Sequence, residues 1–471
     1  MALPVPRGRQ IDILAMKAQG HIVVLGAAGS GKSTVAALRA HILADPRAPH
    51  HGKTLLVTYN KSLVRYLKTV AAEELRHVQV ETFHSFAFGY LNARGKMHWR
   101  KVVSPHRRDE LIRTAVENSG IAREAESRNL LYPMLLTLIS REFTVIARAG
   151  MSRAEYIAYQ MRRGGPLAGF GPDRVYDVLE AYRAIRDSGG ERYDFDDMLS
   201  AAWEAMRDDQ EPRMYKHIVI DEGQDFAPVM LKTLIAAVPS DGSVTFLGDV
   251  AQQIYGRETN WRAAGFDVEK AVIFEENLRN TREIALLGEA IGAMPYYRGV
   301  PDIVRPSMPV DAGPLPTLVR CSSKTEELGL ICTQARNAVG TQNVAIICPN
   351  KRLARIVLSR LEASGERSCV LLNRDLGSWY SEPRIYVGTY HNAKGLEFGS
   401  VLLPFVSAEY MPDPWLVEVF GPDEAASLSG SLLYVGVTRC RRNLVITYHG
   451  DLSPLLPDEG GTPGKLYQRL G

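Results

Sequence analysis

The sequence predicts an α/β protein with two parallel sheets in series and a helical segment inserted into the first. Three observations carry that expectation: short apolar runs alternate with helix-prone stretches, charged helix-like sequence interrupts the alternation, and it resumes beyond a proline-rich stretch. The first apolar run, Ile22 to Leu25, leads through a glycine-rich turn into a helix-prone stretch from Ser33 to Leu43, the opening of a βα unit. Further runs follow at Thr54 to Thr58, Val78 to Thr82, His217 to Ile220 and Val244 to Leu247. From about Gly95 to Ala205 the strands stop and the sequence turns charged and helix-like, as in RRDELIRTAVENSG. Beyond the proline-rich stretch Pro301 to Pro316, strands are expected at Thr317 to Arg320, Val344 to Cys348, Arg384 to Gly388, Val401 to Pro404 and Leu444 to Tyr448. After Tyr448 only a Gly/Pro-rich tail is expected. The domains read as 1–95 and 206–274 for a split first unit, 96–205 for the insertion and 275–471 for the second unit.

A chain of 471 residues exceeds one core and fits several domains. Apolar residues at 45% and charged residues at 23% are ordinary globular usage, which argues against extensive disorder. A net charge of +3 is too small to argue for a nucleic-acid partner, so any such argument has to be local. The cysteines Cys321, Cys332, Cys348, Cys369 and Cys440 form no C-x-x-C pair, so neither zinc nor an iron–sulfur cluster is signalled, and reduced core thiols are expected. No run is long and apolar enough for a membrane span, and MALPVPRGRQ carries no signal-peptide apolar region, so residence in the cytoplasm without a membrane partner is the expectation.

Chemistry first shows itself at GAAGSGKS, the residues Gly26, Ala27, Ala28, Gly29, Ser30, Gly31, Lys32 and Ser33. They match G-x-x-x-x-G-K-[ST] directly after a strand and at the start of a helix, the context the motif requires. Glycines let backbone N–H groups turn toward phosphates, the helix N-terminus favours negative charge, and Lys32 adds a point charge. Ser33 is the expected Mg2+ ligand from this loop. At DEGQD the strand from Ile218 delivers Asp221 to hold Mg2+ and Glu222 to take a proton from the attacking water. Together these two elements imply metal-assisted hydrolysis of a phosphoanhydride, with ATP as substrate.

An ordered set of further segments narrows the class: Gln10, VTYNK at Val57 to Lys61, TFHSF at Thr82 to Phe86, DFDDM at Asp194 to Met198, GDVAQQIY at Gly248 to Tyr255, NLRN at Asn277 to Asn280, TYHNAKGLEF at Thr389 to Phe398 and YVGVTRCRRNL at Tyr434 to Leu444. In this the chain resembles the UvrD/Rep-type superfamily 1 DNA helicases over nearly its whole length. The resemblance implies two RecA-like P-loop domains with a helical 1B insertion in the first. It implies that Gln10 reads the adenine edge, Gln252 senses the γ-phosphate, Arg279 and Arg439 reach that phosphate from the second domain, and Glu397 touches the ribose. It also implies 3'→5' movement on single-stranded DNA or from a 3'-tailed duplex. The strand would lie on Tyr59, Phe83, His84, Tyr255 and His391, with Asn60, Lys61 and Lys394 nearby.

The sequence departs from the family pattern at several points. Leu278 stands where a tyrosine packs on adenine, and Thr34 where an arginine often covers its other face, which loosens the expected preference for ATP. Trp261 either restores a base-stacking contact from a longer loop or belongs to the core. Between Gly365 and Thr389 only a short stretch stands where relatives carry the 2B subdomain, so 2B is expected to be absent or vestigial. In relatives 2B contacts duplex, so good translocation with poor unwinding is expected unless a partner compensates. In size the chain is similar to compact helicase subunits of phage-defence systems. The competing reading is therefore a nucleotide-sensing subunit that switches a partner nuclease or other effector without processive movement.

Overall fold

The computed structural model describes residues 3–470 except 28, 98–101, 128–130, 164–168, 250–264, 269–270, 275, 298–307, 374–375, 377–378 and 459–464. Among the described residues thirteen strands form two sheets. The first contains β1 Gly20–Gly26, β2 Thr54–Thr58, β3 Val78–Thr82, β4 His217–Ile220, β5 Ser243–Gly248 and β6 Val272–Phe274. The second contains β7 Thr317–Cys321, β8 Val344–Cys348, β9 Cys369–Leu371, β10 Ile385–Thr389, β11 Phe398–Leu403, β12 Cys440–His449 and β13 Gln468–Leu470. Their orders are β3-β2-β4-β5-β1-β6 and β13-β7-β12-β11-β8-β10-β9. All the described pairings within both sheets are parallel, as the βα alternation predicts.

Helices cover both faces of each sheet, so the central strands are buried on both sides and read as continuous apolar runs. Every residue of β2, β4, β8 and β10 is buried. Three short strands go beyond the expected set: β6 and β9, and β13, which returns the chain after Tyr448 to pair with β7 where only a tail was expected. Among the described residues, 372–384 contain no helix, and the interval expected to lack 2B is packed down by Trp379, whose ring stacks 4.3 Å from that of Tyr386. All five cysteines are free, and all but Cys369 are buried. No helix among the described residues is long and apolar enough to cross a membrane.

The inserted helices build a core of their own, running from Val103 to Tyr182 in sequence. The helix Asp197–Arg207 instead lies against Phe83–Ala93, and Met198, Leu199, Ala202 and Met206 belong to the core of the first sheet. Asp194 and Asp196 of DFDDM tie the two units together. Asp194 accepts from Arg108 Nε at 3.0 Å and Tyr182 Oη at 2.9 Å, and Asp196 accepts from Arg108 Nη2 at 3.2 Å and Thr144 Oγ1 at 2.8 Å. Arg108→Ala leaves both acids without their cation. It is expected to cost about 3–5 kcal/mol, read as a lower urea-unfolding midpoint; an unchanged midpoint would show that the pair clamps nothing.

The insertion also reaches the second unit. Arg141 pairs with Glu424 at 2.7 Å and lies 3.9 Å over the ring of Phe420, which is buried in the insertion's core.

Candidate active site

At the carboxyl end of β1 the chain turns through the phosphate loop into the helix Lys32–Ala44. Gly29 and Gly31 have φ of +86° and +78°, which favours glycine, and a Cβ on Gly31 would lie 2.4 Å from Gln10 Nε2. That amide donates to Ser30 O at 2.9 Å while its oxygen accepts from Arg7 N at 3.0 Å, so Gln10 here braces the loop with both ends of its side chain. Lys32 is buried, and its ammonium donates to the carbonyls of Gly26 and Ala27 at 2.8 and 2.7 Å. Burial lowers its pKa, against the pull of Asp249, Glu222 and Asp221. Ser33 and Thr34 are partly exposed beside it. Ala28 lies outside the described residues.

From the end of β4 come Asp221, fully buried, and Glu222. Burial and the charge of Glu222 push the Asp221 pKa up to about 7, against the Ser33 hydroxyl and Lys32. Glu222 is also buried, but Arg439, Lys32 and Lys394 outweigh that burial and hold its pKa below the usual carboxylate range. Its backbone sits in the left-handed region at φ 52°, ψ 42°, a conformation a β-carbon disfavours by about 1–2 kcal/mol. Strain of this kind gathers at functional sites.

Across the cleft, the segment Asn277 to Thr281 joins the second unit to the loop. Leu278 N donates to Gly29 O at 2.9 Å, while Thr281 N donates to Arg441 O at 3.2 Å. Arg279 forms an ion pair with Glu397 at 2.6 Å and reaches Thr438 O at 3.4 Å. Arg439, 2% exposed, is anchored on Val435 O through Nε at 3.2 Å, and burial and Arg279 lower its pKa. Gly395 brings the second unit close to the first. A Cβ there would lie 2.8 Å from Leu63 Cδ2 and 3.5 Å from Glu222 Oε1. Lys394 pairs with Asp225, and Asn60 Nδ2 donates to Lys394 O at 3.0 Å. Beyond Arg279 and Glu397 the cleft opens into a cavity of about 700 Å³ whose lining includes Tyr66, Asn343, Arg441 and Arg442.

Several buried polar atoms around the cleft have no hydrogen-bond partner of good geometry among the described residues: both oxygens of Asp221, which the Ser33 hydroxyl only approaches, Ser30 Oγ, Thr58 Oγ1, Arg279 Nε and Arg439 Nη1. Each such atom costs about 1–3 kcal/mol when left unsatisfied. A buried carboxylate beside the Ser33 hydroxyl, with single unpaired N–H groups on two guanidiniums nearby, fits a divalent cation with a polyanion, the pattern of a magnesium–nucleoside triphosphate.

Comparison with known proteins agrees with this geometry. Residues 9–270 match the UvrD/REP helicase N-terminal domain, and residues 318–451 match the UvrD-like helicase C-terminal domain. The chain belongs to the UvrD/REP helicase family. It is 24% identical over 347 residues to the ATP-dependent DNA helicase UvrD2 of Mycobacterium tuberculosis, covering 69% of this chain and 48% of that protein. It is also 24% identical over 252 residues to YjcD of Bacillus subtilis, covering 50% of this chain and 31% of that protein. A probable DNA helicase of Mycoplasma pneumoniae is 21% identical over 463 residues, 90% of this chain and 80% of that protein. This family member thus spans about half or less of the length of its Mycobacterium and Bacillus relatives. Among solved structures, the C-terminal domain of a possible DNA helicase from Lactobacillus plantarum is 21% identical, with 41% of this chain and 97% of that chain covered at a TM-score of 0.29.

The groove residues expected from the helicase pattern are distributed as follows. Tyr59 and His84 are partly exposed with rings 6.1 Å apart, and Lys61 and His391 are exposed. Arg148 of the insertion hydrogen-bonds the Tyr59 hydroxyl and lies over its ring. Phe83 is a correction to that expectation: it is fully buried against Phe86 and Phe226 and offers no face to a base. The ammonium of Lys394 is engaged by Asp225, and Asn60 caps the helix Lys61–Val70. Gln252, Tyr255 and Trp261 lie outside the described residues.

Sequence reasoning passed over Phe195, an aromatic 46% exposed whose ring sits 5.9 Å from His84, and Asp249, buried facing Lys32. Both stand within quoted motifs, so the motif was the available signal. Which of its side chains faces the groove was not.

Proposed function

We propose that this chain is a magnesium- and ATP-dependent motor that moves 3'→5' along single-stranded DNA. One observation supports this above the others. Lys32, Asp221 and Glu222 on the first unit converge with Arg279 and Arg439 on the second, so the set is complete only when the cleft is closed. In this reading Asp221 and Ser33 hold Mg2+, which when bound neutralises phosphate charge and orients the γ-phosphoryl group. Lys32 leaves the carbonyls of Gly26 and Ala27 for the β- and γ-phosphates. Glu222 orients the attacking water and accepts its proton. With Lys32 and Arg439 turned to the phosphates, the cations that hold its pKa down are diverted, and its basicity rises. Arg279 and Arg439 meet the charge that develops on the transferred group.

The strand would run over Tyr59, His84, Phe195, Lys61 and His391, which offer stacking faces beside cations. In this reading Gln10 would exchange its contacts with Ser30 O and Arg7 N for the base, and Leu278 and Thr34 offer no aromatic or guanidinium face, so discrimination among nucleoside triphosphates is expected to be weak. The complete cation and carboxylate set favours turnover over a subunit that only senses nucleotide.

The test is ATP hydrolysis with and without single-stranded DNA, alongside displacement of a labelled strand from a 3'-tailed duplex. Strong stimulation by the single strand is expected, with displacement weak because no 2B-sized element stands between β9 and β10. Hydrolysis indifferent to DNA, without displacement, would replace the motor by a nucleotide-driven switch.

A further inference from the structure

The third polar residue of DEGQD has no role in the reading above, yet it is buried at its centre. Gln224 Nε2 donates to Glu222 Oε2, and Gln224 Oε1 accepts from Asp249 N at 2.9 Å, just beyond the end of β5. Only one orientation of the amide satisfies both contacts. The reverse would set its oxygen against the carboxylate and its NH2 against a backbone N–H. The surroundings are built to this fit. A Cβ on Gly223 would lie 2.2 Å from the Phe246 ring, and one on Gly248 would lie 2.7 Å from that ring and 3.3 Å from Gln224 N. The two glycines therefore let the DEGQD turn and the end of β5 close on each other around Phe246. Asp249, which Gln224 reaches through the backbone, is the same residue whose carboxylate faces Lys32.

We infer that Gln224 is a positioning residue for the reaction: it fixes the carboxylate of Glu222 in its left-handed backbone setting and ties it to the start of the GDVAQQ segment. The inference rests on the proposed ATP turnover. A carboxylate that must orient one water needs a defined rotamer, and Glu222 has its backbone in a sparsely populated region with one oxygen held by Gln224. Releasing that oxygen lets the side chain swing. A misplacement of about 1 Å at a reacting group can cost on the order of 100-fold.

The experiment compares Q224M, which removes both contacts at similar volume, with Q224E, which keeps an acceptor for Asp249 N but cannot donate to Glu222 when ionised. Both are expected to lower kcat for ATP by about 10- to 100-fold. Affinity for a fluorescent ADP analogue should stay close to that of the parent, and the thermal melting temperature should fall by only the few degrees that the unpaired Asp249 N–H costs in Q224M. In the Glu222→Gln background, adding Q224M is expected to change the residual rate by less than about twofold, because the two side chains act as one unit. A kcat within about twofold of the parent in Q224M, losses that multiply in the double variant, or parallel falls in nucleotide affinity and melting temperature would each overturn the inference. Turnover that ignores DNA but still depends on Gln224 would remove the motor reading and leave this one standing.

Discussion

Arg439→Ala is expected to lower the rate of ATP hydrolysis by about 10^3- to 10^5-fold, the range an arginine at the transferred phosphoryl group supplies. The side chain is 2% exposed, with Nε on Val435 O and Nη2 on the Thr438 hydroxyl at 3.5 Å, while Nη1 has no partner among the described residues. An unpaired buried guanidinium N–H, held by its neighbours and facing Glu222, is a donor awaiting charge. Arg439→Lys should recover little, because an ammonium cannot make the Val435 contact and reach the phosphate with a separate fixed N–H. Phosphate release with saturating single-stranded DNA measures the effect. A loss smaller than about tenfold would mean that Arg439 contributes no charge to the reaction and would leave Arg279 as the second unit's remaining candidate.

Glu222→Gln should abolish most of the turnover, by about 10^2- to 10^4-fold, while nucleotide binding persists. The amide keeps the size of the side chain but accepts a proton poorly. Binding should hold or tighten, because a buried negative charge is removed from beside the phosphates. Quenched-flow hydrolysis and equilibrium binding of a fluorescent nucleotide separate the two effects. Hydrolysis at the parental rate would move the general base elsewhere, and Asp225, already paired with Lys394, would be a poor substitute.

These two variants probe opposite banks of one cleft, and they correspond to what local sequence could and could not reveal. The phosphate loop was legible because its chemistry is consecutive: a strand, a run of glycines and a helix start occupy neighbouring positions and need no distant partner. β2, β4 and β8 were legible to the residue because strands buried on both faces read as apolar runs, and β3 because its VQVET alternates between a buried and a partly exposed face. By contrast, β6, β9 and β13 are three residues each and belong to sheet margins, where pairing is set by a neighbour far away in the chain.

The amino-acid order by itself determined the α/β class and the division into two sheets, and its strand–turn patterns marked Lys32, Asp221 and Glu222 as candidates, whereas Arg279 and Arg439 were marked only by the family resemblance. Tertiary structure alone decided which side chains of a motif face the cleft and which face the core. It buried Phe83 and exposed Phe195, spent Lys394 on Asp225, and joined Gln224 to Asp249. Burial and partner choice depend on packing between segments distant in the chain, and a local pattern carries no record of what a side chain meets once those segments close on one another.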